Sequence, residues 1–353
     1  MQLVRLSAAI MAALLASACE FDDSGGSDAV GARTAGTTSV ATAPASGTAG
    51  NSGTPTQPGG TGGSKATPGG TGAPPSPGQG PSDGADSSRG SAGSAGPRVT
   101  SFNSVGPITA TTGQVISGVR IQNPNGPCIT IPSGATMVTV RDSDIGPCGG
   151  SANIVIEGAG ATVEHSYIHH GNRGVLAHRT NGTVTQKNRF DTFYGPAFNG
   201  TAIEYDYMNG GEIDGNVVRG KDYASDTVSV FESSNIRLTN NDIDVSIAEP
   251  SSAGFTMGDS TSGNPGANNY VAGNVVRQTG GVPAGVFGSS GNTVLEKNCL
   301  TGGIQAYNYS GVFVGVTFRS NVINMAASFV PDQSTIKGWS TNIDSTDCAL
   351  VPR

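Results

Sequence analysis

A three-residue pattern recurs through the C-terminal two thirds of this 353-residue chain: a polar residue, any residue, then a large aliphatic or aromatic one. It reads Ser143-Asp144-Ile145, Ser166-Tyr167-Ile168, Asn188-Arg189-Phe190, Asn216-Val217-Val218, Asn241-Asp242-Ile243, Asn274-Val275-Val276, Asn298-Cys299-Leu300 and Asn321-Val322-Ile323. Successive copies step by 23, 22, 28, 25, 33, 24 and 23 residues. A period of this size, with a strand-like stretch per unit, marks a solenoid, in which a unit buries its apolar face only by stacking on the next. Short alternating segments precede the pattern: Val138 and Val140 before Ile145, Ala161 and Val163 before Ile168, Ile236 and Leu238 before Ile243. Period-two alternation puts these side chains on one face. The unit therefore reads as a short strand, a polar corner and a second short strand. No long stretch combines 3.6-residue periodicity with capping signals, which predicts almost no helix. Gly and Asn crowd the corners, where positive φ is required.

The chain changes character near residue 98. From Asp22 to Ser101 there is no aromatic residue, and from Glu20 to Pro107 no Leu, Ile or Met. Such a stretch buries too little apolar surface to offset chain entropy, so residues 19–97 are expected to be a disordered Gly/Ser/Thr/Pro-rich tether. As a flexible coil it would span about 50 Å. Packing must then fall in 98–353, which holds 15 Lys/Arg and 20 Asp/Glu, a net of −5. That balance argues against nucleic acid and anionic lipid as partners. Residues 1–18 read as an export signal: Arg5, an apolar run from Leu6 to Leu15, then the small residues Ala16-Ser17-Ala18. Ten apolar residues are too few for a permanent span. With Cys19 next, Leu15-Ala16-Ser17-Ala18-Cys19 resembles a bacterial lipobox, although Ala16 stands where Leu is commonest. The resemblance implies lipidation of Cys19 and an outer-membrane or cell-surface lipoprotein, whose only membrane contact is that anchor. The alternative is plain secretion.

From about 100 to 345 the chain resembles the right-handed parallel β-helix of the pectate-lyase-like superfamily, with nine or ten coils. The recurring Asn188, Asn216, Asn241, Asn274, Asn298 and Asn321 resemble the asparagine ladder at one corner of such coils. Gly118-Val119-Arg120-Ile121-Gln122-Asn123-Pro124-Asn125-Gly126 resembles a first coil. Rungs about 4.8 Å apart give a rod about 45 Å long. Cys128 and Cys148 lie 20 residues apart in matching Gly-Pro-Cys contexts. Stacking favours a Cys128–Cys148 bond at the N-terminal end, leaving Cys299 and Cys348 to pin the other end. With Cys19 lipidated, four cysteines remain, suited to an oxidising compartment.

Two longer steps, between Asn188 and Asn216 and between Asn241 and Asn274, predict loops on one face, often the binding face of a solenoid. The first carries Phe193, Tyr194, Phe198, Glu204, Tyr205, Asp206 and Tyr207; the second carries Glu249, Met257 and Asp259. Aromatic and acidic groups together suit sugar stacking and hydroxyl hydrogen bonds; the alternative is that the aromatics cap the core. All four histidines, His165, His169, His170 and His178, fall in one window with Arg173 and Arg179. The residue after each core aliphatic reads His169, Asp191, Arg219, Asp244 and Arg277, an alternating-sign column; surface ion pairs of this kind contribute little each. Adjacent histidines on a strand diverge, so zinc is not expected. Calcium, on Asp222 and Asp226 or on Glu249 and Asp259, is the metal to consider, though no ligand motif matches.

The superfamily resemblance implies an exported, monomeric protein that binds an extracellular polysaccharide and, in the favoured version, cleaves it by β-elimination on a uronic-acid polymer. There a base removes the proton beside a neutralised carboxylate. His169 or His170 is assigned as the base, Arg219 or Lys221 to the carboxylate, and Tyr194 or Tyr223 to the leaving oxygen. Arg173, His178, Asp191, Glu204, Asp206 and Asp226 are assigned to substrate binding. A glycoside hydrolase would instead need two carboxylates about 5–10 Å apart, for which Asp191, Asp206, Asp214 and Asp226 are candidates. The non-catalytic alternative is a cell-envelope or adhesive glycan-binding rod.

Overall fold

The computed structural model describes residues 94–191, 193, 200–219, 226–244, 253–258, 266–278, 283–288, 291–307, 315–331 and 333–352. Cys19, Tyr194, Lys221 and Tyr223 lie outside these, as do the signal and residues 19–93 of the tether. The described residues wind into a parallel β-helix with three sheets of eleven, nine and nine strands. The sequence reading counted two strands per unit; each full turn has three. One turn runs Tyr167–His169 in the first sheet, Arg173–His178 in the second and Asn181–Gln186 in the third, and the next repeats this with Arg189–Asp191, Thr201–Asp206 and Asn209–Asp214. Every strand pairing among the described residues is parallel and joins equivalent strands of successive turns. Among the described residues there is no α-helix, only short 3-10 turns after Asn324.

The periodic aliphatics become vertical stacks. In the first sheet Ile121, Ile145, Ile168, Phe190, Val218, Ile243, Val276, Leu300 and Ile323 fall in register and are buried. The third sheet contributes Ile116, Val140, Val163, Thr185, Ile213, Leu238, Val271, Leu295 and Phe318. Thr185 is the polar member, and the fully buried Tyr205 donates its hydroxyl to it at 2.9 Å, so neither group is stranded. Each large aliphatic so buried stabilises the fold by about 1.5–3 kcal/mol relative to exposure.

The corner between the third and first sheets is built the same way on every turn. A residue with positive φ (Asp142, His165, Lys187, Gly215, Asn240, Gly273, Lys297, Ser320) reverses the chain. Its successor then joins a polar column: Ser143, Ser166, Asn188, Asn216, Asn241, Asn274, Asn298 and Asn321, which Asn342 extends without a positive-φ residue before it. In each pair the side-chain oxygen of the lower residue accepts the backbone N–H of the one above, at 2.9–3.0 Å from Ser166 downward. A buried backbone donor left open at every bend is thereby satisfied.

Both expected disulfides are present, Cys128–Cys148 and Cys299–Cys348. At the C-terminal end Val275, Cys299 and Val322 form a second small apolar cluster, against which Ile343, Cys348 and Val351 pack.

Candidate functional site

Connections between the first and second sheets differ sharply in length along the coil. Residues 124–128, 149–153 and 170–172 make connections of three to five residues. The next four, 192–200, 220–227, 245–254 and 278–284, take seven to ten, before 301–303 shortens again. All leave the same edge of the stack, because they join the same two sheets. Extra length concentrated on one edge marks a binding face in a solenoid.

Where the short connections stack, they enclose an open cleft of about 380 Å³, lined by Pro124, Pro147, Cys148, Gly149, Gly150, His170, Gly171 and Asn172. His169 ends the first-sheet strand Tyr167–His169 beside it, and His170 follows as the first residue of the connection. The divergence expected of neighbouring strand residues does not occur, because His170 has φ +48° and its ring turns back toward His169. The two Nδ1 atoms are 2.8 Å apart and the rings meet edge to face. His169 Nε2 lies 2.8 Å from Asp144 Oδ1, whose other oxygen accepts from Arg120 Nε at 2.6 Å. Burial pushes the Asp144 carboxyl up, but the hydrogen bonds from His169 and Arg120 together outweigh it and hold it below the usual range.

Asp144 is in register with Tyr167, not His169, so the contact needs a reason. Gly146 supplies it. A Cβ there would lie 1.8 Å from the His169 carbonyl oxygen and 3.1 Å from its Nδ1. Lacking a side chain, Gly146 lets the imidazole lean back one rung over the space. Asn153 completes the support, donating to the carbonyls of Ile145 and His169 at 3.2 and 2.9 Å. The Tyr167 ring stacks on His169 at 4.5 Å.

The alternating column has the register read from the sequence: His169, Asp191, Arg219, Asp244 and Arg277 are successive partners. The side chains pair along other lines. Arg219 reaches Asp242 at 2.7 Å, Arg277 meets the other oxygen of Asp242, and Arg189 meets Asp191 at 3.4 Å. Arg219 is thus two rungs from His169, about 10 Å, with Asp191 between. The cation nearer the cleft is Arg173, which donates to the Ser151 carbonyl at 3.3 Å and to Glu204 at 2.6 Å.

Across the edge, the second sheet carries the carboxylates. Glu204 and Asp206 are buried despite facing away from the core. Burial raises the Asp206 carboxyl, against a 2.8 Å contact with His178 Nδ1 that lowers it. Burial also raises Asp226, opposed by the Thr256 hydroxyl and the Ala253 N–H and assisted by Glu204. A carboxyl biased toward its acid form is one half of the pair that glycoside hydrolysis uses. Asp214 is instead on the third sheet, accepting from Thr239 and Asn240.

The histidine window does not become one cluster. His165 sits at the corner between the third and first sheets, lowered by burial and by Arg98. His178 ends the second sheet, its ring edge on Tyr207. Of the insertion aromatics, Phe193 and Tyr205 are core residues. Among the described residues no group of three or more His, Cys, Asp or Glu is placed to hold a metal ion; Asp222, Glu249 and Asp259 lie outside them. The sequence reading missed Asp144, Arg120 and Asn153. Asp144 stands inside the first copy of the repeat, but only the Gly146 gap gives it a role.

Residues 108–262 match the family model described as a right-handed beta helix region, and the fold is a right-handed parallel β-helix. No curated protein matches. Among solved structures, the enzymatically active domain of tailspike protein 2 from bacteriophage CBA120 is 13% identical, covering 63% of this chain and 36% of that one, with a TM-score of 0.29. Only about a third of the tailspike chain is therefore spanned. A pentapeptide repeat protein involved in heterocyst differentiation regulation, from the cyanobacterium Nostoc sp. strain PCC 7120, is 8% identical over 65% of this chain and 92% of that one, with a TM-score of 0.18. At these values neither likeness bears on function.

Proposed function

We propose that this is an exported, surface-tethered β-helix protein that binds an extracellular polysaccharide along the edge between its first and second sheets and cleaves it there. One observation supports the reading: four successive long connections leave the same edge as a cleft lined by His170, whose Nδ1 lies 2.8 Å from that of His169. A chain of sugars laid along that edge would pass from the cleft toward Glu204, Asp206 and Asp226. Elimination on a uronic-acid polymer is the favoured chemistry, with His170 as base and Arg173, rather than Arg219, as the guanidinium closest to the carboxylate. Tyr194, Lys221 and Tyr223 belong by sequence to the long connections and remain candidates for the leaving oxygen and the carboxylate.

The full chain, incubated with a panel of uronic-acid and neutral polysaccharides, tests this. Elimination gives ultraviolet absorbance from unsaturated uronate ends; hydrolysis gives new reducing ends without it. Binding without either product would move the assignment to a non-catalytic glycan-binding module. The self-pairing of Arg219, Asp242 and Arg277 favours that second reading for the lower part of the first sheet. No binding to any glycan would sink both. The tether is tested separately: Cys19→Ser should release the protein from the membrane fraction.

A further inference from the structure

We propose that His165 is an acid-sensitive latch for residues 94–98, the strap by which the chain enters the coil. The inference goes beyond the polysaccharide reading and does not depend on it. The strap is held at two points. The Gly96 N–H donates to the Lys187 carbonyl at 2.8 Å. Two residues on, Arg98 donates to Asp142 through its backbone N–H at 3.1 Å, through Nε at 2.8 Å and through a terminal guanidinium nitrogen at 2.6 Å. Asp142, His165 and Lys187 hold the same positive-φ place on three successive turns of the corner between the third and first sheets. A segment fixed at the first and third of these must cross the second. His165 is accordingly only 8% exposed, and its buried Nδ1 has no hydrogen-bond partner among the described residues.

Protonation puts a charge where the closed strap supports it least. A neutral imidazole can leave a bare lone pair at Nδ1, whereas an imidazolium must place an N–H there. A buried donor without an acceptor is costly, and a buried charge more so. Arg98 from the strap and Lys187 from the following turn oppose that charge, while Glu164 and Asp142 favour it, with Arg141 beside Glu164 in the register. Both carboxylates are engaged: Asp142 accepts the three Arg98 bonds, and Glu164 accepts from Gln186 at 2.9 Å. Burial first, and Arg98 second, therefore hold the imidazole below its ordinary value. A ring held low while the strap is shut, and released to its ordinary value when it opens, weakens closure as pH falls below about 6.5. The hydrogen bonds from Arg98 keep Asp142 below the usual carboxylate range, so that anchor loses its charge only below about pH 4. Between these limits His165 titrates while the anchor pair is still ionised, and the strap lifts from the corner.

Hydrogen exchange of the full-length protein, read by NMR at the Gly96 and Arg98 amides and corrected for the intrinsic pH dependence of exchange, tests the latch between about pH 7.5 and pH 5. Protection at both amides should fall with pH, about tenfold for each unit by which the closed strap lowers the ring. Amides of the third-sheet strand Asn181–Gln186 should keep theirs. His165→Asn removes the titration and keeps the backbone, since Asn240 holds the same corner place at positive φ; its strap should stay shut across the range. Constant protection in the wild type, or the same acid loss in His165→Asn, overturns the latch. The reciprocal arm is Gly96→Pro, which deletes the N–H that reaches Lys187 and cannot adopt the φ of +101° found there. With the strap freed, the His165 titration midpoint should rise toward about 6.5. A midpoint that stays where it is in the wild type also overturns the latch.

Discussion

Asn241→Ala is the sharpest test of the polar column. Asn241 is 1% exposed. Its side-chain oxygen accepts from the Asn216 backbone N–H at 3.0 Å and from the Asn216 amide at 2.9 Å. Its amide donates to the carbonyls of Ile213 and Thr239 and to the Asn274 oxygen, each at 2.9 Å. Alanine removes all five bonds, but the losses are unequal. Thr239 keeps the Gly215 N–H, the Asn274 oxygen keeps the Asn241 N–H, and the Asn216 amide keeps the Thr185 carbonyl. The Asn216 N–H is the group left stranded. One buried orphan donor costs about 1–3 kcal/mol and each further lost bond about 0.5–1.5 kcal/mol. With four further bonds lost beside the orphan, the expected loss is about 3–9 kcal/mol, toward the lower end because their partners keep other bonds. Asn342→Ala is the control, since Asn342 is half-buried at the last rung and water can replace its partners, giving about 1–2 kcal/mol. Urea unfolding of both variants measures this. Equal losses at the two positions would refute the claim that the column works by satisfying buried donors.

Three further predictions follow from the same geometry. Asp226→Asn should raise the melting temperature at pH 7, because burial lifts the folded carboxyl above its unfolded value, so stability falls as pH rises through that window. The gain should vanish as pH is lowered toward about 4, the ordinary carboxylate value, and a gain independent of pH would contradict the assigned cause. Replacing both cysteines of a pair by serine should destabilise by about 3 kcal/mol for Cys128–Cys148, separation 20, and about 4 kcal/mol for Cys299–Cys348, separation 49, on the loop-entropy estimate; the reverse order in urea unfolding would count against it. Gly146→Ala should destabilise the fold and displace His169, since its Cβ would strike the His169 carbonyl and its φ is +140°. Gly182→Ala, at φ +66° with open space around it, pays only the backbone strain and should lose less in the same thermal melts.

How much of this could be read from the chain depends on whether a requirement repeats. The Ile145-to-Ile323 stack and the asparagines recur because every turn must fill the same core position and satisfy the same bend, so spacing alone exposes them. The second-sheet strands were not counted because the connections before them vary from three to ten residues, and no fixed offset leads to Phe255 or Ile304. The column from His169 to Arg277 was legible as register, but register does not fix where a long guanidinium points, and Arg219 turned away to Asp242. Least legible was the Asp144–His169–His170 chain. It depends on a missing side chain at Gly146 and a left-handed backbone at His170, neither of which leaves a periodic trace.

The last turn has a consequence for how this protein ages. Cys348 is bonded to Cys299, and the tail it carries packs over an outward-facing apolar strip of Val275, Cys299 and Val322. Reduction would let that flap lift, baring greasy surface beside the terminal strand Ile343–Asp344, whose far side has no strand paired to it among the described residues. Two opened molecules could then join edge to edge and lengthen into fibres. The C-terminal cystine thus keeps that strip covered, and storage under mild reductant followed by light scattering reads what uncovering it does.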